Sequence, residues 1–293
     1  MQMAKMESKC SRPSAVRVGA YGLYLPDLQD AADLLVEAPA EWMQWRIAQL
    51  RGCGTPEEFV SDRQARLQSA TGGWVDIDRD ARRSILHLPD TPPPGAIVHP
   101  YLATTAITAA HWRGFNSFHA GAFLLDGRAW GILGARGTGK STLLAALHMK
   151  GIPILTDDLL IIGKQMTAFA GPRCIDLRRE TAEALDAGEY IGVVGTRERW
   201  RLPVGSVGAE AQFGGWIWPA WDEYGLQIMS AEHRLHILFN NLALRVEQRN
   251  SSAISRMMDL FALPMIRYSR SRDIQTLVDD TQRVLDGLKA ATA

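Results

Sequence analysis

The chain has 293 residues, 46% of them apolar, and its 32 basic and 32 acidic side chains cancel to a formal charge of zero. These values fit one large or two modest soluble globular domains with a sizeable core. They offer no global attraction to nucleic acid or anionic membranes, and no apolar run approaches the ~20 residues that span a bilayer.

Residues 1–15 read as a loose tail. MQMAKMESKCSRPSAVRV carries basic residues without an apolar h-region, so no secretory signal is expected. VRVGAYGLYL, from Val16 to Leu25, alternates like a strand and stops at Pro26. DLQDAADLLVEA and EWMQWRIAQL read as helical. RQARLQSATGGWVDIDRDARRSILHL supplies two or three edge strands, with turns at Gly72-Gly73 and near Arg79-Asp80. TPPPG, Thr91 to Gly95, is the clearest breaker and a candidate boundary.

HPYLATTAITAAHWRG then reads as a helix. Ala120–Leu125 and Ala129–Leu133 form two β-like runs joined by Asp126-Gly127, a strong hairpin signal. A helix over Ser141–Met149 and a buried strand at Ile152–Thr156 follow. LLIIG and TAFAG suggest another hairpin, and TRERWRLP reads as a basic loop whose Arg197, Arg199 and Arg201 could clamp an anion. QFGGWIWPAWDEYGLQIM looks like a strand turning at Pro219. Trp216 and Trp218 share one face of that strand, which reads as core packing ahead of a peptide-binding surface. SAEHRLHILFNNLAL is helical with Ser230 as N-cap, and DIQTLVDDTQRVLDGLKAA closes the chain as an amphipathic helix. The resulting division is an α+β region over 1–94, an α/β core over 95–250 and a helical segment over 251–293 packed on that core.

Gly134, Gly139, Lys140 and Ser141 satisfy G-x-x-x-x-G-K-[ST], between a β-like run and an Ala/Leu-rich helix. Such a loop cradles phosphates with backbone N–H groups at a helix N-terminus. Gly134, Ala135, Arg136, Gly137, Thr138, Gly139, Lys140, Ser141 and Thr142 are therefore the candidate nucleotide-binding residues. Lys140 reaches the β- and γ-phosphates and Ser141 a magnesium ion. Asp157 and Asp158 follow the strand-like PILT. Neighbouring side chains of an extended backbone face opposite ways, so the pair is expected to divide two tasks, one facing the metal and one a bound hydroxyl. A carboxylate beside a hydroxyl can take its proton as the phosphoryl group arrives.

The segment from Phe118 to Ile162 resembles the active site of HPr kinase/phosphorylase and its relatives, which share a core with phosphoenolpyruvate carboxykinase. The intervals from His119, in His-Ala-Gly, to Lys140 and from Lys140 to Asp157 match that family. The resemblance implies an α/β fold with a mixed sheet and flanking helices around a P-loop. It implies Asp157 as the base, His119 as the residue that orients it, and Asp158 with Ser141 on magnesium. GPRCIDLR resembles the stretch that supplies a further metal-side carboxylate, here Asp176. The chain departs from the bifunctional enzyme: Ile152 follows Gly151 where many members carry histidine, and the LLEIRGLGII signature is not intact.

The pattern HPYLA…RG…HAGAF…DGRA…GxGKST…LxDD, with WIWPAW and LPMIRY later, is closer to the HPr-kinase-like proteins of lasso-peptide tailoring clusters. That resemblance implies an ATP- and Mg2+-dependent kinase acting on a serine hydroxyl of a precursor peptide; the balanced charge and the lack of a membrane-length apolar run lead to the expectation of no nucleic-acid or membrane partner. The family's oligomers extend the expectation to a homo-oligomer. Two other readings stay open: a P-loop ATPase or nucleotide-dependent regulator, and a small-molecule kinase. Cys10, Cys53 and Cys174 show neither CxxC spacing nor a disulfide framework, which fits a reduced cytoplasmic setting, with Cys174 a buried apolar residue.

Overall fold

A computed structural model describes residues 16–69, 73–135, 137–195, 197–222, 224–244, 251–271, 273–274 and 276–292. Arg136, Cys10, Gly72 and Thr196 fall outside this set. Among the described residues the fold is mixed α/β, built on a nine-stranded sheet accompanied by sheets of four, five and three strands. Among the described residues no helix is long and apolar enough to cross a membrane.

The central sheet starts from the Asp-Gly hairpin. Gly121–Leu125 pairs antiparallel with Arg128–Ile132. Asp126 (φ 49°) and Gly127 (φ 75°) both take positive φ, the turn that matches the right-handed twist of a two-residue hairpin. Ile154–Thr156 flanks one side of this pair, and the long strand Glu210–Trp221 runs parallel to the other. The second expected hairpin is also present: Leu160–Ile162 meets Thr167–Phe169 at Ile162 and Ala168.

Alternation along these strands divides the core. Ala122, Ala129 and Trp216 belong to one buried cluster; their neighbours Phe123, Trp130 and Ile217 belong to a second. The sheet is thus covered on both faces. Helix Lys140–Met149 contributes Leu143, Leu144 and Leu147 to the second cluster, where the C-terminal helix Leu277–Thr292 packs against it. Trp216 is fully buried in the first cluster, edge-on to Phe118 and Phe213, and Trp218 packs partly buried against the same cluster. That is the core face the spacing suggests. Cys174 is buried as expected, while Cys53 is exposed.

Several sequence expectations need correction. EWMQWRIAQL is extended, as Met43–Gln44 and Arg46–Arg51. Trp42 and Trp45 suit a helical spacing, but Trp45 and Ile47 point inward around an outward Arg46, which bonds Asp27. Strand Arg46–Arg51 pairs in parallel with Arg83–Leu88, a remote partner that local pattern cannot reveal. The strands Gln64–Gln68, Trp74–Asp78 and Arg83–Leu88 lie inside their five-stranded sheet rather than at its edges. PDLQDAADL, Pro26–Leu34, is a series of short 3-10 turns rather than a regular helix: the backbone leaves helical dihedrals at Leu28 and Ala31, and Leu28, Ala31 and Leu34 are buried.

Pro219 makes no turn; it sits inside Glu210–Trp221, opposite Tyr268. Ile217 offers its carbonyl to Leu133 N, so the nitrogen of Pro219, in the same phase, faces an edge that Arg128–Ile132 has already left. A missing N–H costs nothing there. TRERWRLP is a strand, Arg197–Pro203, in the three-stranded sheet. Segment 251–293 is not wholly helical: Met265–Arg270 is a strand of the central sheet, beside Glu210–Trp221. Backbone bonds from Tyr21 to Ala170 and from Arg173 to Leu34 tie the N-terminal region to the core, and the first buried cluster runs from Val18 to Met265.

Candidate active site

The glycine-rich loop leads from strand Arg128–Ile132 into helix Lys140–Met149. Gly134, Gly137 and Gly139 take φ of 144°, 89° and 80°, conformations open to glycine and strained for other residues. The helix begins directly after Gly139. Lys140 folds back over the loop, its Nζ donating to the carbonyls of Gly134 (2.6 Å) and Ala135 (3.2 Å). Burial lowers the Lys140 pKa, against the pull of Asp158 and Asp157. Thr138 Oγ1 donates to the Ala135 carbonyl, and Thr142 Oγ1 lies 3.3 Å from Thr181 Oγ1.

The aspartate pair follows strand Ile154–Thr156 in a tight turn. Leu159 N donates to the Asp157 carbonyl, and Thr156 Oγ1 to the Leu159 carbonyl. Asp158 takes φ 61°, a left-handed conformation that aspartate tolerates better than most residues. The backbone has therefore left the strand, and strict alternation no longer holds. Both carboxylates come to one place, with ligand oxygens within 4.8 Å of each other and of the His99 ring.

Their surroundings differ. Asp157 is 1% exposed; Ser141 Oγ donates to its Oδ1 over 3.1 Å, and Asp158 N donates to the same oxygen over 2.9 Å. Burial, then the charges of Asp158 and Asp176, pushes its pKa well above the usual carboxylate range. Asp158 keeps 55% of its side chain exposed and lines a cavity of about 930 Å³. Asp157 is not among the residues lining that cavity. Lys140, Ser141, Thr142, Gly134, His119 and Asp176 are.

Asp176 stands on strand Cys174–Leu177 opposite Arg201. Its Oδ1 accepts from Arg201 Nε (2.8 Å) and its Oδ2 from Arg199 Nη1 (3.1 Å). Burial works to raise its pKa, but His99, Arg201 and Arg199 overcome this and hold it below the ordinary value. Two of the three arginines read as an anion clamp are thus engaged with a carboxylate of the protein itself. Asp176 is accordingly a less available metal ligand than the aspartate pair.

Two contributors escaped the sequence reading. Asn241, at the end of helix Ala231–Asn240, accepts the Gly134 N–H at 3.1 Å, while its carbonyl accepts from His119 N. No local pattern marks an asparagine for a loop so far away in the chain. His99 lies where a continuous helix was expected. The regular helix starts at Leu102, and His99 itself is extended (φ −148°, ψ 117°). The ring is 2% exposed, with Nε2 3.7 Å from Asp158 Oδ2 and 3.6 Å from Asp176 Oδ2. Its only sequence signal is a place in the HPYLA segment. His119, the histidine favoured from the sequence, is exposed on the same cavity.

No family model matches the chain, and no curated protein matches it. Among solved structures it is similar to the HPr(Ser) kinase/phosphatase from Coxiella burnetii, at 14% identity and a TM-score of 0.27, over 58% of this chain and 98% of that one.

Proposed function

We propose that this protein is an ATP- and magnesium-dependent kinase that transfers the terminal phosphoryl group to a serine-type hydroxyl of a peptide or protein. The observation that carries the reading is the junction of Ser141 with the aspartate pair. The loop helix and the turn after Ile154–Thr156 meet through the 3.1 Å bond from Ser141 Oγ to Asp157. Asp158 opens beside that junction onto the cavity that Lys140 also lines.

Ser141 and Asp157 offer oxygen donors, which suit magnesium. Burial first, and then the charges of Asp158 and Asp176, raise the Asp157 pKa, and a dication beside it would offset both. These two residues would hold the ion, which when bound neutralises charge on the β- and γ-phosphoryl oxygens. Lys140 would exchange the Gly134 and Ala135 carbonyls for phosphate oxygens. Asp158 is the carboxylate that an incoming alcohol can reach. The oxygen of that alcohol bonds to the γ-phosphorus while its proton passes to Asp158. The bond from the γ-phosphorus to the bridging oxygen breaks, and its electron pair leaves with the nucleoside diphosphate. This arrangement exchanges the roles that the family resemblance implies for Asp157 and Asp158, because Asp158 is the exposed member of the pair and Asp157 the buried one. A precursor-peptide acceptor of the lasso type rests on the sequence resemblance.

The test is incubation with γ-labelled ATP, magnesium and serine-containing peptides, read by mass spectrometry. Label on a seryl oxygen is expected from the natural chain and not from Asp158→Asn, which should still bind nucleotide. Phosphate release at the same rate with and without acceptor would replace this reading with a hydrolase.

A further inference from the structure

The donor set around Asp158 goes beyond what a magnesium kinase requires. His99 is 2% exposed, and its Nε2 has no hydrogen-bond partner among the described residues. A buried ring nitrogen left this way is costly unless something else occupies its direction. It faces the oxygens of Asp158 and Asp176 at 3.7 and 3.6 Å. These separations are too long for hydrogen bonds, and the one to Asp158 fits two ligands sharing an ion. Ligands about 2.0–2.2 Å from one ion stand about 3.0–4.4 Å apart, depending on their angle. The ligand atoms of His99, Asp157 and Asp158 all lie within 4.8 Å of one another. Asp176 is held by Arg199 and Arg201 and stays outside the set.

We propose that His99, Asp157 and Asp158 form a binding site for a first-row transition-metal dication such as zinc. Imidazole with two carboxylates favours such ions over magnesium, which prefers all-oxygen sites. The site involves both aspartates of the proposed reaction. Its occupancy withdraws Asp158 from proton transfer, so the metal acts as an inhibitor of the kinase. That regulatory consequence rests on the kinase reading; the binding itself does not.

The experiment uses the full chain without nucleotide. Calorimetric titration with Zn2+ should show a site that His99→Gln weakens at least about tenfold and that Asp158→Asn also weakens. Magnesium should bind the natural chain and His99→Gln alike. Mn2+-loaded natural protein should show 14N coupling from a directly bound imidazole in pulsed electron paramagnetic resonance, and His99→Gln should lose it. Equal zinc affinity in the natural chain and a folded His99→Gln, or no 14N coupling in the natural chain, overturns the site. If His99→Gln does not fold, the coupling in the natural chain decides. Failure to find phosphoryl transfer with any acceptor would count against the kinase reading and leave these metal readouts standing.

Discussion

The Ser141 hydroxyl donates to Asp157 Oδ1 at 3.1 Å and lies 3.3 Å from Oδ2, closing the mouth of a carboxylate that is 1% exposed. This contact joins the first turn of the loop helix to the turn that carries both aspartates.

Asp157 has a folded pKa well above its unfolded value of about 3.8, through burial first and neighbouring carboxylates second. The folded state therefore holds a proton that the unfolded state has released. The stability this provides is present at low pH and is lost as pH rises toward the folded pKa, by up to about 1.4 kcal/mol per pH unit. Urea midpoints measured from pH 4 upward without metal should fall more steeply for the natural chain than for Asp157→Asn. Parallel curves would refute the assignment.

Removal of Arg201 should be severe. Its guanidinium bonds Asp176 and the backbone carbonyls of Gly95 and His99, and the Asp176 side chain is 1% exposed. Arg201→Ala leaves a buried carboxylate half paired, at a cost of about 3–5 kcal/mol. Chemical denaturation measures it. Loss of less than about 1 kcal/mol would mean that Arg199 suffices.

Lys140→Met keeps the stem of the side chain and removes its charge. It gives up bonds to two loop carbonyls in the resting protein, so the fold should lose no more than about 1–2 kcal/mol. Nucleotide affinity should drop at least about tenfold, measured by calorimetry. Unchanged affinity would show that the loop does not bind phosphate through this lysine.

Trp216→Ala removes a fully buried ring that lies 5.0 Å from Phe118 and 4.5 Å from Phe213, centroid to centroid. The expected cost is about 3–5 kcal/mol, read from urea unfolding. A small effect would place the energetic centre of the sheet elsewhere.

Local chemistry was legible from the residues. Asp126-Gly127 makes a hairpin because both positions accept positive φ, and the glycines of the loop work by the same rule. The run ILT followed by two aspartates sets a strand end beside that loop. Each of these rests on forces within a few residues, so the chain states them directly.

The rest was decided by partners remote in sequence. EWMQWRIAQL suits a helix until Arg83–Leu88 offers it a strand, and TRERWRLP suits a loop until Asp176 offers its arginines a buried charge. His99 reaches the site only because the backbone at His99 itself is extended within an otherwise helical turn, and Asn241 reaches Gly134 only through the packing of its helix. The aspartate pair shows both levels at once. Sequence places two carboxylates next to each other; the left-handed turn at Asp158 makes them converge, burying one behind Ser141 and opening the other to the cavity. A single backbone dihedral, held by the surrounding turn, sets which carboxylate meets solvent.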